Sequence, residues 1–108
     1  MTTNETTSRR ETPILTISVA ADLLKLHPRT LMMYEKAGFL TPHRTLTDRR
    51  MFSIKDLDDL QFIKHLTQTI GINLQGVKTI LEAIKLTTEQ NLDLKKMLFP
   101  NFKPQNLV

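Results

Sequence analysis

The chain has 108 residues, a net charge of +4 and no cysteine, with apolar and charged fractions ordinary for a globular protein. This length predicts one domain with a modest core, and the lack of cysteine excludes disulfides, thiolate metal sites and thiol redox switches. No apolar run approaches the ~20 residues of a membrane span, and the N-terminus lacks the apolar segment of a signal peptide. We therefore expect a cytoplasmic protein.

The positive charge is concentrated in one stretch of the chain. Residues 27–55 carry six Lys and Arg side chains against two acidic ones, an excess equal to the net charge of the whole protein. Clustered positive charge is typical of a surface that contacts phosphates, although solvated basic faces are also common.

The first two predicted helices are close together in the sequence. One helix runs from Ser18, its predicted N-cap, to about Leu24, with an apolar face at helical spacing. In the next helix, Pro28 suits the first position and Gly38 supplies the left-handed residue that closes it. About three residues separate the helices, which is the spacing of a helix-turn-helix, so the second helix is predicted to enter the major groove of DNA.

A small hairpin is predicted to follow. Residues 43–45 and 50–52 flank the polar turn 46–49, and we interpret them as a two-stranded wing that must pack on helices. Its basic side chains would contact the phosphate backbone and so position the protein on DNA, rather than select a sequence. These side chains are Arg44, Arg49 and Arg50.

Two longer helices come next. Ser53 with Asp56 is a capping-type start for a helix whose apolar stripe should end near Gly71. Asn73 is a good N-cap for the following helix, in which apolar residues recur at the i, i+3, i+4, i+7 positions.

The last segment is predicted to form a short helix and a tail. Thr87 and Gln90 are candidate caps for a helix that ends near Leu98, and Pro100 stops regular structure beyond it. Three roles remain open for the apolar side chains of this segment: covering the domain's own core, forming a dimer interface, or docking a partner protein. These side chains are Leu94, Met97, Leu98, Phe99 and Phe102.

In this order the motifs resemble the DNA-binding domain of the MerR family over about residues 14–85. The matching positions are Ile17-Ser18-Val19-Ala20, Arg29-Thr30-Leu31, Tyr34-Glu35, Gly38, Leu40, Pro42, Arg44, Arg50-Met51-Phe52-Ser53, Asp56-Leu57, Gly71, Asn73-Leu74 and Val77. Within the family, His27-Pro28 and the segment 71–77 are most similar to the HspR group, which represses chaperone operons. The implied fold class is mainly α: a winged helix-turn-helix of the MerR type with a small β-hairpin wing and a short C-terminal helix.

The resemblance also implies a function and its residues. The expected activity is that of an HspR-like transcriptional repressor that binds an inverted repeat of double-stranded DNA as a dimer. The expected DNA contacts are Ser18, His27, Arg29, Thr30, Tyr34, Arg44, Arg49 and Arg50. Arg29 is the leading base or phosphate contact, with a solvated side chain that pairs with Glu35 or a neighbour as the alternative. The Tyr34 ring is expected to pack under the helix, with its hydroxyl facing a phosphate.

A second hypothesis is a protein-interaction module with weak or secondary DNA binding. HspR-type repressors are controlled by a chaperone, and nitrogen-responsive relatives by a synthetase that binds their tail. The resemblance thus leaves a regulatory protein partner of this chain open.

Two features depart from the family pattern. Met32 and Met33 stand where an Arg and an aromatic or polar residue are usual; they could contact thymine methyls, or mark a changed target or a weakened binder. After Lys85 only 23 residues remain, so the long dimerising coiled coil of the family does not fit. We divide the chain into a flexible arm (1–13), a winged-helix domain (14–86) and a C-terminal helix and tail (87–108).

Catalysis, metal binding, cofactors and small-molecule effectors are not expected. The sequence contains no nucleophile–base pair, carboxylate pair or glycine-rich phosphate loop. His27, His43 and His65 are scattered and have no carboxylate at metal-ligand spacing. The lack of cysteine also removes the metal and redox sensing chemistry that is usual in the family.

Overall fold

The computed structural model describes residues 9–108, so most of the predicted arm 1–13 lies outside the described residues. A helical turn at residues 9–11 precedes three short strands and five α-helices in this part of the chain. These are β1 (Leu15–Thr16), α1 (Ile17–Leu24), α2 (Pro28–Lys36), β2 (His43–Arg44), β3 (Arg50–Phe52), α3 (Ile54–Lys64), which continues as a π-helix (His65–Ile70), α4 (Leu74–Glu89) and α5 (Leu94–Leu98). The predicted fold class, mainly helical with a small antiparallel wing, is confirmed.

The N-cap of helix α1 is Thr16, two residues earlier than the predicted Ser18. Thr16 keeps an extended backbone as the last residue of β1, and its hydroxyl accepts a hydrogen bond from the Val19 N–H at 3.3 Å. Ser18 lies within the first turn and is exposed. The helix ends at Lys25, whose left-handed backbone (φ 57°) reverses the chain before α2.

Helix α2 has the limits that its sequence predicts. The His27 side chain accepts a hydrogen bond from the Arg29 N–H at 3.0 Å, and Pro28 occupies the first turn, where a missing N–H costs no hydrogen bond. Gly38 follows with φ 85°, a conformation that side-chain-bearing residues rarely adopt.

The wing contains three strands rather than the predicted two. Strand β3 is central and pairs antiparallel with β2 on one side and with β1 on the other. Leu15 lies opposite Phe52, and the Ile14 N–H donates to the Phe52 carbonyl at 3.1 Å. A strand of two residues has no detectable periodicity, so only tertiary pairing defines β1.

The starts of α3 and α4 are as predicted, but the end of α4 is not. Ser53 and Asp56 form a reciprocal capping box, and Asn73 caps α4. Helix α4 continues to Glu89, and within it the Thr87 hydroxyl donates to the Ala83 carbonyl one turn back rather than capping a new helix. Asp93, not Thr87 or Gln90, caps α5.

The core lies where α1, α2, β3, α3 with its π-helical extension, and the first turn of α4 meet. Its members are Ala20, Ala21, Leu24, Leu31, Tyr34, Phe52, Leu57, Leu60, Phe62, Ile63, Leu66 and Val77, each at most 3% exposed. The C-terminal tail adds aromatic contacts, since the Phe99 and Phe102 rings lie 5.4 and 5.3 Å from the ring of Phe62. Within the described residues, no helix is long and apolar enough to span a bilayer.

The corrected start of α1 can be tested by a matched pair of substitutions. Thr16→Ala should lower the free energy of unfolding by about 1 kcal/mol, because the first turn loses its side-chain cap. Ser18→Ala should leave it almost unchanged. Urea unfolding of both variants measures the difference, and a larger loss for Ser18→Ala would restore Ser18 as the cap.

Candidate nucleic-acid interface

Helix α2 has one buried face and one exposed face. Leu31 and Tyr34 point into the core and are each 1% exposed. The opposite face carries four exposed side chains at spacings of three and four residues, which places them in one stripe along the helix. We call these the outer stripe: Arg29, Met32, Met33 and Lys36.

Two hydrogen bonds connect the helix-turn-helix to α3 and to its π-helical extension. The Lys64 ammonium donates to the Leu24 carbonyl at the end of α1, at 2.8 Å, where the negative end of the helix dipole favours a cation. The hydroxyls of Tyr34 and Thr67 lie 3.0 Å apart. Thr67 also donates to the Ile63 carbonyl at 3.0 Å, so the Tyr34 hydroxyl serves as donor to Thr67.

The prediction that the Tyr34 hydroxyl faces a phosphate is therefore wrong. Tyr34 lies on the inner face of α2, so its ring fills the core and its hydroxyl is satisfied within the domain. A buried hydroxyl without a partner is costly, and Thr67 provides that partner.

One carboxylate joins α2 to the wing. The two oxygens of Glu35 accept hydrogen bonds from Arg50 Nε at 2.6 Å and from Arg44 Nη2 at 3.2 Å. The side chains of Glu35 and Arg50 are only 22% and 26% exposed, so the pair is partly shielded from water. The hydrogen bond from Arg50, with a further contribution from Arg44, lowers the pKa of Glu35 below its ordinary value despite partial burial.

The tip of the wing is organised around Arg44 and the turn beyond it. Arg44 pairs with Asp48 at 3.5 Å in addition to Glu35, and Asp48 has the left-handed backbone that the turn requires (φ 63°). Arg49 is exposed, and neither Arg49 nor Arg29 forms an ion pair within residues 9–108. Glu35 is thus occupied by the wing arginines and not by Arg29, which leaves the Arg29 guanidinium available to a ligand.

The remaining predicted contacts lie near the starts of the two helices. Ser18 in the first turn of α1 and His27 at the N-cap of α2 are exposed, and Thr30 is half-buried. Sequence reasoning missed Glu35 as a member of the site. Its signal was one of the two carboxylates within the basic stretch 27–55, but a sequence does not reveal which of several arginines it meets.

The C-terminal residues proposed for an interface differ in their burial. Phe99 and Phe102 pack on Phe62 of their own domain, which is the first of the three roles left open for this segment. Met97 and Leu98 are 67% and 55% exposed. Leu94 is half-buried.

At the other end of the chain, Arg10 forms an ion pair with Asp58 of α3.

A helix-turn-helix followed by a basic wing defines the class of nucleic-acid-binding winged-helix domains. Residues 15–84 match the model of the MerR HTH family regulatory proteins. The chain belongs to this family.

Relatives of known name support the assignment. The chain is 44% identical over 72 residues to the heat shock protein HspR of Streptomyces coelicolor, a match covering 67% of this chain and 48% of that protein. It is 35% identical over 101 residues to the HTH-type transcriptional regulator GlnR of Bacillus anthracis. That match covers 83% of this chain and 78% of the Bacillus protein. The match thus spans about half of the Streptomyces protein and most of the Bacillus one.

A solved structure shares the fold. It is the crystal structure of HiNmlR, a MerR family regulator lacking the sensor domain, bound to promoter DNA. The TM-score is 0.57 at 23% identity, and the match covers 78% of this chain and 75% of that chain.

The buried role of Tyr34 predicts how its hydroxyl affects stability and binding. Tyr34→Phe should lower the free energy of unfolding by about 1 kcal/mol, because one buried hydrogen bond is lost. Affinity for a random-sequence duplex at low salt should not change, since the hydroxyl does not reach the surface. A severalfold loss of duplex affinity at unchanged stability would contradict this role.

The lowered pKa of Glu35 predicts a pH-dependent contribution to stability. Because the folded-state pKa lies below the unfolded one, the contribution is complete above the ordinary glutamate pKa of about 4.3 and is lost as the pH falls through the folded value. Glu35→Gln should lower the free energy of unfolding by about 1 kcal/mol at pH 7. The difference from the parent protein should vanish in strong acid. Glu82→Gln, at an exposed site on α4, is the matched control, and a Glu35→Gln effect that is the same at every pH would refute the ionic role.

Proposed function

We propose that the protein is a sequence-specific DNA-binding transcriptional regulator, an HspR-like repressor that binds an inverted repeat as a homodimer in the bacterial cytoplasm. The observation that carries this proposal is the outer stripe of α2, which faces away from the core on the helix that Glu35 ties to the basic wing. A helix exposed on one face and flanked by ordered arginines suits the major groove and the phosphates beside it.

The names of the relatives favour DNA as the ligand. The Bacillus protein is named a transcriptional regulator, and the structural neighbour was solved on promoter DNA. The similarity to a protein named heat shock protein HspR favours a role in the stress response.

The site residues divide between positioning and base reading. Arg44 and Arg50, oriented by Glu35, together with the exposed Arg49 would contact phosphates and supply affinity that decreases with salt. Arg29 lies in the first turn of α2, where helix-turn-helix proteins contact base edges, and would read a base. Ser18, His27 and Thr30 would contact the backbone at the edges of the groove.

Two copies of the domain are required because a single α2 covers only one half-site. Apolar side chains that are more than half exposed lie beyond α4 and on α5: Leu92, Met97 and Leu98. We propose that they contribute to contact with a second copy. The same exposed side chains favour the second candidate function, in which a chaperone or another regulatory protein docks on this segment.

The proposal is tested by selecting bound sites from a pool of random duplexes with the purified full-length protein. An inverted repeat with fixed half-site spacing is the expected result. Weak binding of every duplex at low salt, with no motif recovered, would overturn sequence-specific regulation and favour the interaction module.

A matched pair of variants identifies the base-reading side chain. Arg29→Ala should relax the preference at one position of each half-site by about tenfold, which is the order of discrimination from one good base contact. Lys103→Ala removes an exposed cation from the C-terminal tail and should leave the motif intact. An unchanged motif for Arg29→Ala would exclude Arg29 from base reading.

A further inference from the structure

The centre of the outer stripe is apolar. Met32 and Met33 are 40% and 44% exposed, although α2 already supplies Leu31 and Tyr34 to the core. Each methionine lies three or four residues from both Arg29 and Lys36, so the two apolar side chains are flanked by a cation toward each end of the helix.

Within residues 9–108, neither methionine belongs to the buried core or to the partly buried apolar side chains packed against it. The two methionines lie opposite the buried face of the helix, where the exposed positions of a surface helix normally carry charged or polar residues. An apolar protein partner is also disfavoured, because docking here would bury Arg29 and Lys36 beside the arginines of the wing.

The chemistry of methionine restricts what the pair can recognise in DNA. A thioether donates no hydrogen bond and accepts only weakly, so it neither neutralises phosphates nor reads the polar groups of base edges. The thymine C5-methyl is the apolar group that the major groove presents, and an unbranched, flexible side chain adapts well to it.

We propose that Met32 and Met33, which lie between Arg29 and Lys36 on the outer stripe, read thymine methyl groups at adjacent base pairs of each half-site. This inference rests on the proposed function and names the feature of DNA to which the helix is complementary. The methionines contribute specificity for thymine in addition to the base contact proposed for Arg29, whereas Lys36 contributes affinity.

The test uses the duplex recovered in the selection, with deoxyuridine replacing thymine at one position of both half-sites at a time. Deoxyuridine keeps every hydrogen-bonding group and lacks only the methyl. The full-length protein should bind about three- to fivefold more weakly per half-site methyl removed at the contacted positions, the order expected for loss of one buried methyl group. Other thymines should be insensitive.

The double variant Met32→Ala/Met33→Ala is tested on the same thymine and deoxyuridine duplexes. It should bind the thymine and deoxyuridine duplexes equally well at the contacted positions, and each single variant should lose sensitivity at one of them. Met97→Ala, which truncates an exposed methionine on α5, is the control and should keep the full thymine preference even if its overall affinity changes.

The outcomes separate this inference from the function on which it rests. A recovered motif with no methyl-sensitive position, or a thymine preference that persists in the double variant, would overturn the inference alone. Persistence would instead indicate that the DNA shape at those steps is read indirectly. A selection without any motif would overturn the proposed function and the inference together.

Discussion

The burial of Leu31 and Tyr34 determines the rotation of α2, and the surface of the domain follows from that rotation. With these two side chains in the core, the helix must turn Arg29, Met32 and Met33 outward. The hydrogen bond between Tyr34 and Thr67 adds directionality that apolar packing alone lacks. The same two residues therefore stabilise the domain and orient the face that we propose enters the major groove.

The second constraint is ionic and connects the helix to the wing. A wing of this size has few contacts of its own, and strand β2 contains two exposed residues. Glu35 accepts hydrogen bonds from Arg44 and Arg50 on neighbouring strands, so one partly shielded carboxylate on α2 holds both guanidinium groups. Arginines that are positioned before DNA arrives lose less conformational entropy on binding. The cost is a negative charge on a predominantly basic surface.

The C-terminal segment shows how a small domain completes its core. Phe99 and Phe102 return to Phe62, and the Lys95 ammonium lies 4.4 Å from the centre of the Phe62 ring. Gln61 strengthens this closure because its side-chain amide both donates to and accepts from the backbone of Gln105, at 2.9 and 2.7 Å. The aromatic residues of the tail are thus used within the domain. Any contact with a second chain would fall mainly to exposed aliphatic side chains such as Met97 and Leu98.

The sequence by itself determined the helices that carry strong local signals. Pro28 and Gly38 delimit α2, and the capping box of Ser53 and Asp56 starts α3, because these effects act within a few residues of the chain. The spacing of the motifs was sufficient to identify the family. The concentration of basic residues correctly indicated the wing and α2 as the charged part of the chain.

The tertiary structure decided the features that depend on residues distant in sequence. Strand β1 exists because Leu15 meets Phe52, and the cap of α1 moves to Thr16 as a consequence. The Tyr34 hydroxyl stays inside the domain because Thr67, 33 residues away in the sequence, provides its hydrogen-bond partner. Glu35 selects Arg44 and Arg50 rather than Arg29 because the wing folds back onto α2. Local patterns specify which backbone a segment adopts, whereas the partner of a polar side chain is specified only when packing brings distant segments together.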